Sequence, residues 1–290
     1  PSGVQERSLL DEAELEKGAV ALIESALADT QQAFDSVAAG YDRSNAANPL
    51  LAAMRERVLA AIIAHTPPAA RVLDLACGPG ADVEMLAERG HRVTAIDWSA
   101  AMVEETRARV ARAGLAHQVD VLHLGIQELH RLPAGQFETV YSNFGALNCV
   151  PNLADAVEIV ANRLGPNGVF VASVIGRVCP WEIALYAGRG DFARVAVRFA
   201  RDLTPVPLNG QTVWTRYYTP ARFERLCASF GLRRVLLRAL GVLAPPPYME
   251  TFATRHPEWI ARLQRLEDRT AGWPIVRSLG DHFLMVLRKS

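Results

Sequence analysis

The sequence predicts an α/β domain in which a mainly parallel sheet carries helices on both faces. From residue 71 onward, short apolar runs rich in β-branched residues alternate with stretches of helical spacing. Such an alternation builds parallel strand pairs that are joined by crossover helices. The first apolar run also ends in a small-residue turn, Cys77-Gly78-Pro79-Gly80, directly before the first of these helices. Both observations favour an open sheet with a ligand site beyond the ends of its strands.

The elements of this sheet follow one another along the chain. Apolar runs predict strands at 71–76, 92–96, 119–124, 137–142 and 168–174. Helical spacing predicts helices at 81–89, 99–113 and 153–164. The later pieces are a helix that stops at Gly231, followed by strands at 232–240 and 282–289.

Helical patterns also precede the sheet. Residues 9–30 predict one or two amphipathic helices, and helical spacing resumes from Leu50 to Ile63. We therefore expect a helical cap over residues 1–68 and one domain over residues 69–290.

Two segments interrupt the domain, at about 176–220 and 243–280. Open α/β sheets bind ligands beyond the carboxyl ends of their strands, so the cap and both insertions are expected to cover one crevice there. The insertions also hold eight aromatic residues that could line a substrate pocket: Trp181, Tyr186, Trp214, Tyr217, Tyr218, Tyr248, Trp259 and Trp273.

Composition excludes some classes of function. The 31 basic and 31 acidic residues balance, which argues against a nucleic-acid enzyme that uses a basic patch. Four cysteines without C-x-x-C spacing fit a reducing cytoplasm. No apolar run of about 18 residues and no signal pattern is present, so we expect a cytoplasmic protein with no membrane partner.

Residues 71–98 carry the main functional signal. Small residues at a strand-to-helix turn let a ligand approach the backbone and the N–H groups of the helix N-terminus. The second strand then ends in Asp97, and a carboxylate there suits two vicinal ribose hydroxyls. A dinucleotide fingerprint is disfavoured, because Val83 stands at the third glycine position. The stretch predicts a nucleoside-cofactor site.

The pattern resembles motif I of the class I S-adenosylmethionine-dependent methyltransferases. The matching residues are Asp74, Ala76, Cys77, Gly78 and Gly80, and Asp97 fills the acidic position after the second strand. The resemblance implies a Rossmann-like, seven-stranded, mostly parallel sheet with an antiparallel last strand. It also implies S-adenosyl-L-methionine as the cofactor, with Asp97 on its ribose.

Further cofactor contacts follow from the same resemblance. Trp98 and Met102 are expected on the adenine, and Asn143 and Phe144 near the methionine moiety. Family members commonly carry an Asp after the third strand, where this chain has Gly125. The backbone of Ile126 and the side chain of Gln127 are the expected substitutes.

Two cofactor contacts are expected from the helical cap. The F-x6-Y-D segment that ends at Tyr41 and Asp42 resembles the segment that covers the sulfonium in small-molecule methyltransferases. Tyr41 can offer a hydroxyl and a π-face to a cation. Arg55, on the following helix, could pair with the carboxylate of the cofactor.

The resemblance implies methyl transfer to a small, hydrophobic or aromatic metabolite, with O-methylation favoured and secondary metabolism the best-fitting setting. The fourth strand ends in Ser142-Asn143-Phe144, so no metal is expected. His282 is the candidate general base. No nucleic-acid partner is expected, and a homodimer is possible.

Three other functions stay open at this point. A cyclase or isomerase on the same fold could use the cofactor without transferring its methyl group. A non-catalytic S-adenosylmethionine-binding protein and a nicotinamide oxidoreductase are the others.

Overall fold

A computed structural model describes residues 2–290 of the chain, with side chains from residue 21 onward. Its strands are β1 (Arg71–Leu75), β2 (Arg92–Asp97), β3 (Val119–His123), β4 (Phe137–Ser142), β5 (Leu164–Ile175), β6 (Thr204–Leu208), β7 (Gln211–Thr215), β8 (Leu232–Leu240) and β9 (His282–Lys289). Its α-helices are α1 (Ser2–Ala47), α2 (Pro49–His65), α3 (Ala81–Glu88), α4 (Ala100–Arg112), α5 (Leu153–Arg163), α6 (Pro180–Gly188), α7 (Phe192–Val197), α8 (Pro220–Ala228), α9 (Glu250–Arg255) and α10 (Pro257–Thr270).

Seven strands form the central sheet in the order β3-β2-β1-β4-β5-β9-β8. Neighbours from β3 to β5 run parallel, whereas β9 is antiparallel to both β5 and β8. The expected α/β fold with an antiparallel last strand is thereby confirmed. The chain builds the sheet outward in one direction from β1 to β3 and then in the other direction from β4. The strand order therefore reverses at β1, which lies between β2 and β4. A ligand crevice is expected at such a switch point.

The apolar strands are buried because helices cover both faces of the sheet. Side chains alternate between the faces along β1, so that Leu73 and Leu75 join one core cluster and Val72 joins the other. The first cluster contains Phe170 and packs against α5 and α8, and the second contains Ile62 of α2. Both faces of β1 and β2 are therefore packed against the core.

The cap consists of one long helix followed by a shorter one. The described part of α1 continues to residue 47, and the segment with Phe34 and Tyr41 is helical throughout. Pro1, the first residue of the predicted cap, lies outside the described residues. Asn48 ends the helix and caps α2, since its Oδ1 accepts hydrogen bonds from the N–H groups of Leu50 (3.0 Å) and Leu51 (3.2 Å). Pro49 suits the first position of α2. The break therefore falls at Asn48-Pro49 and not between two helices before residue 30.

The first insertion ends in a hairpin that docks on α1. Asn209 and Gly210 both have positive φ (48° and 79°), as a two-residue hairpin loop requires. The backbone N–H of Trp214 donates to Thr30 Oγ1 (3.1 Å), and its indole N–H donates to Asp29 (3.0 Å). The hairpin β6–β7 and α1 thus form one cover over the crevice.

The second insertion packs elsewhere. The carboxylate of Glu267 on α10 is 2 % exposed and accepts four backbone N–H groups of residues 241–244 at 2.8–3.2 Å. Its helices contact α2 and β8 rather than the hairpin. Among the described residues, the cap and the first insertion contribute to the wall of the crevice and residues 243–280 do not, so the expectation that both insertions cover it is wrong. None of the described helices is long and apolar enough to cross a membrane.

Candidate cofactor site

The turn after β1 is fixed by hydrogen bonds to β2 and α4. The N–H groups of Ala76 and Cys77 both donate to the carbonyl of Ile96 (3.0 and 2.9 Å). The hydroxyl of Thr106 donates to the carbonyl of Gly78 (2.6 Å). Ala76 has a φ of 73°, a left-handed conformation that costs a side chain roughly 1–2 kcal/mol. Backbone held in this way persists where the surroundings enforce it, commonly at ligand sites.

Gly80 supports this turn without facing the ligand cavity. It precedes α3 with φ 80°, and a Cβ there would meet Thr106 Cγ2 and Oγ1 at 2.7 Å. The sequence predicted Gly80 as a cofactor contact, but it does not line the cavity. Its place is explained by the close approach of α3 and α4, which leaves no room for a side chain.

Asp97 lies at the tip of β2 and is 8 % exposed. One carboxylate oxygen accepts the N–H of Gly78 (2.8 Å), and the other accepts the N–H of Ser99 (2.8 Å). Burial raises the pKa of Asp97 to about 6, and these two N–H groups lower it in part. Each oxygen keeps one lone pair, so the carboxylate can accept two hydroxyls of a ribose.

One cavity of about 320 Å³ opens beside this turn, a size in the range of small-molecule sites. The structure brings thirteen of the fourteen predicted cofactor residues to its wall: Tyr41, Arg55, Asp74, Ala76, Cys77, Gly78, Asp97, Trp98, Met102, Ile126, Gln127, Asn143 and Phe144. Their contacts with a bound cofactor stay predictions.

Arg55 is already engaged by carboxylates. Its guanidinium contacts Asp82 at 2.7 Å and Asp42 at 3.4 Å. Asp42, on α1, also pairs with Arg109 (2.5 Å), and Asn143 Nδ2 donates to Asp82 (3.1 Å). The sequence predicted Arg55 alone against the cofactor carboxylate. The structure shows an arginine–aspartate pair instead, which can offer charges of both signs to a zwitterionic amino acid.

Asp74 faces the same end of the cavity from β1. It is 2 % exposed, and Tyr141 Oη donates to it at 2.5 Å. Burial holds the pKa of Asp74 well above its usual range, although the bond from Tyr141 lowers it. Burial also raises the pKa of the Cys77 thiol, which keeps that side chain neutral.

The opposite end of the cavity presents buried polar atoms that have no partner among the described residues. They are Trp98 Nε1 and Gln127 Nε2. Trp98, Met102 and Ile126 supply flat or apolar surface beside them. A purine base offers both ring surface and hydrogen-bond acceptors, so these residues fit an adenine.

Several lining residues were not predicted from the sequence. Gln31, Thr30, Asp82, Ser99, Cys149 and the hairpin residues Val206, Pro207, Leu208, Val213 and Thr215 are the main ones. Asp82 could have been found, because an acidic side chain in the first turn after the glycines points into the crevice. Nothing in the sequence marked the hairpin residues, since they reach the cavity only through docking on α1.

His282 lies away from the cavity. It is 8 % exposed, its Nδ1 contacts Asp281 Oδ2 (2.9 Å), and its Nε2 has no partner among the described residues. Asp281 and Glu182 both pair with Arg198. Burial alone would raise the pKa of Asp281, but His282 and Arg198 hold it well below its usual range.

The prediction of His282 as a base is therefore not supported by its position. This buried ion-pair cluster joins the first insertion to β9, because Arg198 also donates to the carbonyls of Gly176 (2.9 Å) and Asp281 (3.1 Å). The eight aromatic residues of the insertions likewise lie outside the cavity wall. They have different environments instead: Trp181 of the first insertion packs against Trp259 of the second at 6.3 Å between ring centroids, and Tyr218 packs against Phe223 of α8.

Comparison with known proteins agrees with this geometry. Residues 72–168 match the family described as "Methyltransferase domain". A ubiquinone biosynthesis O-methyltransferase of Psychrobacter arcticus is 27 % identical over 164 residues, which cover 57 % of this chain and 59 % of the relative. A malonyl-[acyl-carrier protein] O-methyltransferase of Enterobacter lignolyticus is 35 % identical over 124 residues, covering 42 % and 46 %. The chain thus spans about half the length of these curated relatives.

Solved structures show the same fold. One is a 1,6-didemethyltoxoflavin-N1-methyltransferase of Burkholderia thailandensis with bound S-adenosylhomocysteine (TM-score 0.56, 20 % identity, 91 % of this chain and 88 % of the other). The [4+2]-cyclase SpnF is another (TM-score 0.54, 15 % identity, 81 % and 80 %). Residues 72–168 therefore match a methyltransferase domain, and the chain has the fold of S-adenosylmethionine-dependent methyltransferases of known structure.

Proposed function

We propose that the protein transfers a methyl group from S-adenosylmethionine to a small, hydrophobic or aromatic metabolite, with oxygen as the favoured acceptor atom. One observation carries the proposal: a single cavity connects the polar residues around Asp97 with an apolar chamber beneath the hairpin. The chamber is lined by Leu27, Phe34, Val150, Ile175, Val206, Pro207, Leu208 and Val213. Such walls favour an apolar acceptor that is excluded from water.

The polar groups of the chamber favour an acceptor that ionises easily. No histidine lines the described cavity, and burial raises the pKa of Cys149 to about 12. Burial raises the pKa of Tyr41 as well, although its hydrogen bond with Asn45 lowers it in part. Neither group can remove a proton at neutral pH. An acidic hydroxyl such as a phenol would need least help, and the two curated relatives named above are O-methyltransferases.

The cofactor supplies an activated methyl group, and the residues of the chain hold the cofactor and the acceptor in the positions that the transfer requires. Asp97 and Gly78 would hold the ribose, while Tyr41 and Phe34 on α1 cover the cavity from above. The hairpin closes the other side and excludes water from the acceptor. Methyl transfer is an in-line displacement, so most of the acceleration comes from such alignment and from exclusion of water.

The first test is calorimetric titration of the full chain with S-adenosylhomocysteine, followed by assays of phenols, amines and carbon acids with S-adenosylmethionine. Micromolar binding and a methylated product formed together with S-adenosylhomocysteine support the proposal. Turnover without S-adenosylhomocysteine indicates a cyclase or isomerase, and binding without turnover on any acceptor class indicates a binding protein. Absence of binding contradicts the cofactor assignment.

The apolar chamber has its own test. Val213→Ser should lower kcat/KM for the acceptor about tenfold, because burial of each methyl group contributes about 1 kcal/mol, and should leave S-adenosylhomocysteine affinity unchanged. Val235→Ser is the matched control, since Val235 lies on β8 and is 47 % exposed. Equal effects of the two substitutions would place the acceptor elsewhere.

A further inference from the structure

Helix α2 is apolar on more than the face that it packs against the sheet. Met54 and Val58 belong to that face and are buried in the core. Ala52, Leu59 and Ile63 lie on a second face, where Leu59 is partly buried and Ile63 is 38 % exposed. A helix that is apolar on most of its circumference is normally buried on most sides. The second face of α2 is therefore expected to be covered by a ligand or a partner.

This second face forms one wall of a groove of about 470 Å³. Met85 and Arg89 of α3 line the groove as well, so that it lies between the two helices. Along α2 its lining residues extend from Leu51 to Ile63, which corresponds to a rise of about 18 Å. A long and mainly apolar groove suits an extended chain better than a compact ring.

The groove adjoins the cofactor cavity, because Asn45, Arg55 and Phe144 line both spaces. Phe144 has a φ of 51°, a left-handed conformation that is strained for an aromatic residue. The Oδ1 atom of Asn143 accepts the N–H of Phe144 (2.8 Å) and helps to hold this conformation. Backbone strain of this kind is concentrated at ligand sites. Here it fixes Phe144 at the boundary between the two spaces.

The cofactor cavity is small for two ligands. Its volume of about 320 Å³ is at the lower end of the range for one small-molecule site, yet methyl transfer requires the cofactor and the acceptor together. An acceptor larger than a single ring must extend beyond the cavity, and the adjoining groove offers the larger space. Arg55, the cation that both spaces share, is paired with Asp82 and Asp42. The walls of the groove therefore favour an uncharged, apolar chain.

We propose that the groove between α2 and α3 binds the apolar tail of an amphiphilic acceptor, an alkyl-type chain whose reactive hydroxyl head lies in the cofactor cavity. This proposal rests on the proposed function, because the tail belongs to the acceptor of that reaction. The tail passes from the cavity to the groove at Phe144, which lines both. The acceptor class is thereby narrowed from a hydrophobic metabolite to a phenol that carries a chain.

The test measures the affinity of the full chain for 4-methylphenol, 4-butylphenol and 4-octylphenol by calorimetry, with S-adenosylhomocysteine at saturation. Full burial of one methylene group improves affinity about fourfold. Because the groove is open to solvent on one side, we expect about twofold for each methylene group. From 4-methylphenol to 4-octylphenol, the affinity should therefore rise about 100-fold.

A substitution that fills the groove should remove this gain. Ala60 is exposed on α2 and lines the groove, so Ala60→Phe places a ring where the tail would lie. The variant should bind 4-octylphenol at least about tenfold more weakly, and 4-methylphenol and S-adenosylhomocysteine within about twofold of the wild type. Ala108→Phe is the matched control, since Ala108 is exposed on α4 and lines neither space.

The outcomes separate this proposal from the proposed function. If S-adenosylhomocysteine does not bind to the wild-type chain, the proposed function fails and the tail site fails with it. If it binds but affinity for the phenols is absent or does not rise with chain length, only the tail site is overturned. A rise that Ala60→Phe leaves intact places the tail elsewhere and also overturns it. Sedimentation of a wild-type dimer that Ala60→Phe converts to a monomer would show that a second copy covers the groove, which is the remaining contrary result.

Discussion

Asp97→Asn is expected to stabilise the ligand-free protein at neutral pH while it removes most of its affinity for S-adenosylhomocysteine. The carboxylate is 8 % exposed, and burial raises its pKa from 3.8 to about 6. An asparagine carries no charge and keeps one oxygen, so it can accept only one of the N–H groups of Gly78 and Ser99 that now bond to Asp97. The substitution therefore removes a buried charge and one hydrogen bond.

The magnitude follows from the pKa shift. Between pH 3.8 and about 6, folded Asp97 holds a proton that the unfolded chain has released, so the free energy of unfolding falls as pH rises. The fall is about 1.4 kcal/mol per pH unit and about 3 kcal/mol in total. Loss of one hydrogen bond to the carboxylate offsets about 1–2 kcal/mol. Asp97→Asn should therefore be more stable than the wild type by about 1–2 kcal/mol above pH ~6.

Ligand affinity should change in the opposite sense. Hydrogen bonds to a charged acceptor contribute about 1.5–3 kcal/mol each, so the variant should bind S-adenosylhomocysteine at least about 100-fold more weakly. In the wild type, protonation of Asp97 should weaken binding about tenfold between about pH 8 and pH 5.

Urea unfolding and calorimetry over about pH 5–8 measure both effects. Asp120→Asn is the matched control, because Asp120 is an exposed residue of β3. The reasoning fails if ligand-free Asp97→Asn is not the more stable chain above pH ~6, or if the wild type binds equally at both ends of this range.

Three further predictions concern other parts of the site. Gly80→Ala should cost about 2–5 kcal/mol in urea unfolding, whereas Gly90→Ala, with similar φ and open space, should cost about 1–2 kcal/mol; equal costs would contradict a clash with α4. His282→Gln should lower stability by about 1–3 kcal/mol but leave turnover per folded molecule within about twofold; a loss of turnover would restore it as a base. Arg55→Met should lower the free energy of unfolding by about 2 kcal/mol, because it leaves buried Asp82 without its cation. This value is smaller than for a fully buried pair, since the Arg55 side chain is 23 % exposed and solvent screens the interaction; an unchanged urea midpoint would refute it.

Much of the core fold could be predicted from the sequence, because the hydrophobic pattern of each strand lies within the strand itself. The strands at 232–240 and 137–142 have the predicted bounds, whereas α3 is shorter than predicted by one residue at its end and α4 by one residue at each end. The turn from Asp74 to Gly80 was equally readable, because a small-residue turn and a carboxylate in register are local features. Family resemblance then supplied the number of strands in the sheet and the antiparallel direction of the last one.

Long-range contacts decided the rest. No local sequence pattern indicates that hairpin β6–β7 docks on α1 or that the second insertion packs away from the crevice. Both arrangements depend on which surfaces of the folded domain remain uncovered. The pairing of Arg55 with Asp82, 27 residues away, and the position of His282 outside the cavity are further examples.

The sequence by itself thus determined the fold class, the small-residue turn after β1 and the position of an acid at the end of β2, because local periodicity and spacing encode them. Only the tertiary structure decided which segments cover the crevice and which charges meet across it. The physical reason is that side-chain packing and ion pairing depend on distances between residues far apart in the chain, which spacing along the sequence does not contain.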